Sequence, residues 1–439
     1  MHEFVRPVLS PDSLGNPDKH GRMRIALVAY ACEPDRGSEP GVGWKWAREL
    51  VRRGHEVVVF AHSAQRAAIE QSEMRAPLGA RFVFHNPRGR PLEHPNRLVT
   101  QFQYTSWQWS VMDAITCEDL ADPFDVVHFL TWGGIRMPVF GWRGRAPYVI
   151  GPVGGGEECP LAYSASLGRS AFLRELGRKL VNRLCLIDPL LWRAYGGAAH
   201  IYSKTEDSRR FVPAPFRGKC DVEMEIGTPV EPDDREAAIP LRDPAQPFRI
   251  IFVGRLLHWK SPLTVVHVYD ELRQRGVDAE LLMIGDGPQR ALLEEALARL
   301  PVDAKVSYHP AIEQTKLFKL YGQHDLMLFP SLHDSSGNVV LEALTFGLPV
   351  VALALGGPRE LLKTGGGIAV PVQGRNERAA VAAMADEIEH LAASPGDHAK
   401  LRRQAREAAA QRSWSHAVER VYVTLEARYS RPAVYAVQK

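Results

Sequence analysis

Residues 333–352, "HDSSGNVVLEALTFGLPVVA", set a carboxylate, two hydroxyls, a glycine and an asparagine directly ahead of an apolar run at helical spacing. A serine that begins a helix caps its first free amides, and the positive end of the helix suits a phosphate. Ser335 or Ser336 is the expected cap. Glu342 follows about one helical turn further on, where a carboxylate can accept hydrogen bonds from two vicinal hydroxyls such as those of a ribose. The stretch predicts a phosphate-and-sugar clamp, against the plainer alternative of a capped helix with a surface acid. A second loop, "GRLLHWK" (254–260), carries Arg255 and Lys260 after the strand-ending Gly254. Two cations so placed can hold both charges of a diphosphate leaving group without a metal.

Both loops need strands that end in them. "RIALVAYA" (24–31) ends in a polar, glycine-rich loop and is followed by a helical pattern and a second apolar run, "EVVVFA". "FDVVHF", "PYVIGPV", "RIIFVG", "AELLMIG", "AKVSYH", "DLMLF" and "LPVVALAL" repeat the theme. Continuous apolar runs of this kind are strands buried on both faces of parallel sheets. The reading is α/β: two doubly wound, Rossmann-like domains facing a central cleft, with ligands at the carboxyl ends of the strands. The expected division is a polar extension over 1–22, a first domain over 23–230 and a linker over 231–247. A second domain over 248–412 and a C-terminal helix over 413–439, returning to the first domain, complete it. The linker lies in a Pro-rich, acidic stretch that begins near residue 225. Two more glycine loops line the cleft in this arrangement: "DRGSEPGVG" (35–43), with Gly37 and Ser38, and "GPVGGGEE" (151–158), whose backbone can approach an acceptor while Glu157 binds its hydroxyls.

The 439 residues exceed one ordinary core, and a net charge of +3 argues against nucleic acid as the main partner. Five scattered cysteines without a CxxC pair predict neither disulfides nor a zinc site and fit a reducing cytoplasm. Neither a signal-peptide core nor a membrane-spanning run is visible. Residues 166–195 form a helical pattern in which Leu173, Leu176, Leu180, Leu184 and Ile187 share a stripe among Arg169, Arg174, Arg178, Lys179 and Arg183. Such a stripe either packs on its own sheet or lies on anionic lipid.

Taken together, "RGSEPGVGW", "FVGRLLHWKSP", "LMIGDGPQR" and "PSLHDSSGNVVLEALTFGLPVVA" resemble the family 4 retaining glycosyltransferases, from residue 23 to about 425. The resemblance implies the GT-B fold and transfer of a sugar from a nucleoside diphosphate sugar to an acceptor hydroxyl with retained configuration. It implies that Arg255 and Lys260 bind the diphosphate, that Glu342 binds the ribose, and that Asp334 contacts the transferred sugar. Gly37, Ser38, Gly254, Ser335, Ser336, Gly337 and Asn338 would line the donor, and His128 would project toward the sugar. In the mechanism usual for the family, the leaving phosphate takes the acceptor's proton on the same face, and neither metal nor cofactor takes part. The sequence departs from the family where Asp334 replaces a glutamate, a loss of about 1.5 Å of reach. It also has Ser335-Ser336-Gly337 in place of Gly-Phe-Gly, Ser38 in place of a glycine and Leu130 in place of a histidine. Bacterial polysaccharide or glycolipid synthesis is the implied setting, with a carbohydrate or lipid-linked acceptor. The implied location is the cytoplasm or the inner face of its membrane. Competing readings are a non-catalytic binder of nucleotide sugar or polysaccharide, a GT-B epimerase and, ranked lowest, a dehydrogenase.

Overall fold

A computed structural model describes residues 21–34, 36–86, 89, 97–229 and 241–430. Seven strands form the first sheet: β1 (Arg24–Val28), β2 (Glu56–His62), β3 (Arg81–His85), β4 (Val126–Phe129), β5 (Tyr148–Val153), β6 (His200–Ser203) and β7 (Cys220–Val222). Six form the second: β8 (Phe248–Val253), β9 (Ala279–Ile284), β10 (Val306–His309), β11 (Leu326–Phe329), β12 (Val350–Leu353) and β13 (Gly367–Val370). Their orders are β3-β2-β1-β4-β5-β6-β7 and β10-β9-β8-β11-β12-β13. The neighbouring strands pair in parallel, so each connection crosses over, mostly through a helix on a sheet face. The chain is α/β throughout.

The strand orders locate the site. In the first sheet the order reverses between β1 and β4, and in the second between β8 and β11. At such a switch point the crossover connections leave in opposite directions and open a crevice beyond the carboxyl ends of the two strands. The loops at these ends include "GRLLHWK" after β8 and "HDSSGN" after β11. β8 and β11 are central and apolar, with Ile250, Ile251, Met327 and Leu328 fully buried, which fixes the two loop origins rigidly.

One helical pattern divides differently from its sequence reading. The stretch 166–195 is not one helix: Leu161–Ser166, Arg169–Cys185 and Pro189–Gly197 are separate. Gly168, at φ +103°, breaks the first junction, and Asp188 caps the third helix ahead of Pro189. At the C-terminus, Pro395–Ala410 and Trp414–Tyr429 are separate helices, the latter capped by Ser413, whose Oγ accepts from the His416 amide at 3.2 Å. Trp414–Tyr429 lies along Ser38–Arg52, and the buried Glu426 accepts from Arg53 at 3.0 Å and contacts His55 Nε2 at 2.9 Å.

Residues 225–228, where the Pro-rich composition begins, are buried and are not free linker. Trp46 Nε1 donates to the Glu225 carbonyl at 2.8 Å, and the Thr228 amide donates to the Arg412 carbonyl at 2.9 Å. Of the stretch 231–247, residues 231–240 lie outside the described residues, as do 1–20 of the N-terminal extension and 431–439 of the C-terminal segment.

Candidate active site

The loop after β8 is held from below by the loop after β9. A Cβ on Gly285 (φ +145°) would stand 1.9 Å from the Gly254 carbonyl oxygen, and one on Gly287 (φ +156°) 2.7 Å from that of Leu256. Only glycine lets the two backbones come this close. The Leu256 amide donates to the Asp286 carbonyl at 2.9 Å, after which the chain turns through His258–Lys260 into the left-handed Ser261. Lys260 Nζ is thereby brought against Asp334 Oδ2 in an ion pair, with the Phe329 ring centroid 4.9 Å away. Arg255, on the same loop, is exposed, and its guanidinium has no partner among the described residues.

Asp334, not a serine, holds the turn that leads into the helix Asn338–Thr345, and that helix has no side-chain cap among the described residues. Asp334 Oδ1 accepts from the amides of Ser336 at 3.3 Å and Gly337 at 2.9 Å, and Gly337 is the N-cap residue at φ +73°. An aspartate is short enough to fold back onto its own loop while its second oxygen meets Lys260. The geometry therefore makes Asp334 the holder of Lys260 and of its own loop. The loop "LGG" after β12 closes from beneath: the Gly357 amide donates to the Asp334 carbonyl at 2.6 Å, and a Cβ on Gly356 (φ +54°) would meet that oxygen at 2.4 Å.

Glu342 lies further into the helix, where Tyr321 donates to its Oε2 at 3.2 Å. Burial raises its pKa to about 7, against the opposing influence of the Tyr321 hydrogen bond and the Lys45 charge. A carboxyl in this state gains from any ligand hydroxyl that stabilises its ionised form. Asn338 opens the helix with no side-chain partner among the described residues. Gly37 precedes the helix Ser38–Arg52 on the β1 side; it is exposed at φ −81°, and nothing lies within 4 Å of where its Cβ would stand. Gly254 is equally unconstrained, a Cβ there making only ordinary contact with Phe252 at 3.5 Å.

Four sequence expectations are corrected. Ser335 and Ser336 do not cap the helix: Ser335 Oγ donates to Glu157 Oε2 at 2.8 Å and Ser336 Oγ to Glu225 Oε1 at 2.6 Å, both across the seam between the halves. Glu157 is buried, and its two oxygens are occupied by Gly155, Thr205, Ser208 and Ser335, leaving no free acceptor for a substrate hydroxyl. The close approach of the "GGG" loop is to Ser335, whose Cβ would lie 2.7 Å from a Cβ on Gly154. His128 does not reach the cleft. It is fully buried, its Nδ1 2.9 Å from the Tyr422 hydroxyl and its Nε2 2.7 Å from the Gly151 carbonyl. Burial lowers its pKa to about 4, so it is a neutral core histidine at physiological pH.

Sequence reasoning missed Lys204, which follows β6 and is the centre of the seam. Its ammonium lies 2.7 Å from Glu225 and 3.6 Å from Glu39, and Ser336 Oγ accepts from it at 3.4 Å. Burial opposes its charge, but the Glu225 and Glu39 carboxylates outweigh that and hold its pKa above the usual lysine value. Its place at a strand's carboxyl end was the available signal. Glu175 is also new: it joins His333 at 2.9 Å across the same seam. Beside this pair a cleft of about 500 Å³ runs between the helix Arg169–Cys185 and the turn His258–Lys260, lined by Arg136, Arg174, Arg178, His258 and Trp259 among others.

The arrangement places an unpaired guanidinium, a second cation and a carboxyl of raised pKa at the switch point of one sheet, facing another sheet. Residues 37–214 match the model described as "Glycosyl transferase 4-like domain", and residues 233–412 the model described as "Glycosyl transferases group 1". A D-inositol 3-phosphate glycosyltransferase of Xylanimonas cellulosilytica is 32% identical over 433 residues, covering 93% of this chain and 98% of that protein. Among solved structures, a sucrose-phosphate synthase from Thermosynechococcus elongatus superposes with a TM-score of 0.58 at 18% identity, covering 92% of this chain and 100% of that one. Anabaena Alr3699/HepE, solved in complex with UDP and glucose, gives a TM-score of 0.55 at 16% identity, covering 92% and 99%. With both halves matched in order and a relative aligned nearly end to end, the chain belongs to the group 1 glycosyl transferases of GT-B fold and is a glycosyltransferase.

Proposed function

We propose that the protein transfers a sugar from a nucleoside diphosphate sugar to an acceptor hydroxyl, with retention of configuration and without a metal ion. The observation that carries this reading is the unpartnered Arg255 guanidinium on the loop that also supplies Lys260, at the carboxyl end of β8. Arg255 and Lys260 hold the diphosphate and stabilise the charge that grows on it as the glycosidic bond breaks. Asp334 is a positioning residue that aims Lys260, and Glu342 accepts hydrogen bonds from the ribose hydroxyls. Gly37, Ser38, Gly254, Gly337 and Asn338 offer backbone or open space to the donor. The departing phosphate takes the acceptor's proton as the new C–O bond forms on the same face, which removes the need for a carboxylate nucleophile below the ring. The UDP bound by Anabaena Alr3699/HepE supports a nucleotide in the equivalent cleft. Polysaccharide or glycolipid synthesis is the proposed setting.

Single-turnover transfer from a panel of nucleoside diphosphate sugars in EDTA, with the product anomer read by NMR, tests the proposal. Retained configuration and a loss of at least about a hundredfold in kcat for Arg255→Ala are expected. An inverted product, or activity restored only by magnesium, would overturn it.

A further inference from the structure

The helix Arg169–Cys185 is built inside out. Its buried residues are Glu175, Asn182 and Cys185, whereas Leu173, Leu176, Leu180, Val181 and Leu184 are 45–63% exposed. The polar face has reasons to be inside: Glu175 accepts from the Cys159 amide at 2.7 Å and pairs with His333, and Asn182 bonds Arg136 and Glu158 at 2.8 and 2.9 Å. The apolar face has no such partner among the described residues. It continues into Ile187, Leu190 and Trp192, so that eight of the sixteen exposed large apolar side chains of the described residues lie between Leu173 and Trp192. A soluble surface rarely concentrates apolar area in this way without something to cover it.

Charge decides what covers it. Arg169, Arg174, Arg178, Lys179 and Arg183 belong to this helix, and its single acid, Glu175, is buried and paired. Leucines edged by cations, with no exposed acid among them, match an anionic lipid surface, where apolar side chains enter the acyl boundary and cations meet headgroups. Among the described residues no helix is long and apolar enough to cross a membrane, so the contact is one of docking.

We propose that the exposed face of Arg169–Cys185, extended through Trp192, docks the protein on a bilayer containing anionic lipid. Ala171, Arg174, Arg178 and Val181 of the same helix line the 500 Å³ cleft between the halves, so the docked helix brings that cleft to the membrane surface. If the transferase reading above holds, an acceptor can present its hydroxyl there while its lipid tail stays in the bilayer.

The test is co-sedimentation of the full chain with phosphatidylcholine vesicles, with and without phosphatidylglycerol, at low and high salt. Binding that requires phosphatidylglycerol and weakens with salt is expected. Lys179→Ala and Arg183→Ala should each weaken it about fivefold, and the double variant Leu176→Glu/Leu180→Glu by more than tenfold. These side chains are mostly solvent-facing, so an unchanged melting temperature serves as the folding control; the two cation variants keep the test open should the leucine variant fail to fold. Absence of binding to the anionic vesicles, or binding unaffected by these variants, would overturn the proposal. So would a concentration-dependent dimer, abolished by the leucine variant, in a protein that ignores vesicles. The readout is independent of transfer activity, so its failure is separable from failure of the enzymatic reading.

Discussion

Burial disfavours the ionised form of Glu342. Its carboxyl is raised from 4.5 to about 7 by burial. Between those values the folded protein keeps a proton that the unfolded chain releases, so this group's contribution to stability falls as pH rises through the window and the penalty is complete above about 7. Glu342→Gln removes the charge and keeps an oxygen for Tyr321. The variant is expected to be more stable than the parent at pH 8, by on the order of 1–2 kcal/mol, and no more stable near pH 4.5, in urea unfolding at both pH values. The same difference at both would contradict a buried, strained carboxylate. Its partner across the loop was only half legible. That Asp334 and Glu342 belong to one loop and one helix follows from "HDSSGNVVLEAL"; that Asp334 folds back on Ser336 and Gly337 depends on Lys260 arriving from another strand. His128 illustrates the same limit. A strand period assigns a face only once the covering layer is known, and here that layer is the helix bearing Tyr422, 294 residues away in sequence.

At the scale of elements, the site depends on backbones that touch. Gly285→Ala forces a Cβ into the Gly254 carbonyl from a left-handed backbone, and a cost of about 3 kcal/mol or more in urea unfolding is expected. Gly37→Ala, with open space and an ordinary φ, should leave stability unchanged and weaken donor binding if the donor occupies that space. Equal destabilisation by both would count against this account. The apolar runs marked nine of the strands because parallel strands buried on both faces carry their signal in composition. The other four are the edge strands β3, β7 and β13 and the short β6, whose sequence HIYS is buried but mixes polar with apolar side chains; β10, at an edge and alternately exposed, was marked by its neighbours in sequence and not by burial. The helix Arg169–Cys185 shows the opposite failure: its stripe was visible, but only the fold reveals that the stripe faces outward.

At the scale of the molecule, the two halves meet along a polar seam: Glu157 with Ser335, Glu225 and Lys204 with Ser336, Glu175 with His333, and Asp207 with Arg359 at 3.2 Å. None of these pairs could be read from spacing, since each joins residues more than 100 positions apart. The seam holds the loop of Asp334 beside Lys260, and Arg255, on the loop of Lys260, stays exposed. The proposed site binds a nucleoside diphosphate without a metal ion. This binding is tested most directly by calorimetric titration with UDP, GDP and ADP, each with magnesium and again with EDTA. One nucleotide is expected to bind with an affinity that survives EDTA, and Lys260→Ala and Glu342→Ala should each weaken it at least about tenfold. Binding that disappears with EDTA, or that is indifferent to both substitutions in a folded protein, would contradict the proposed site.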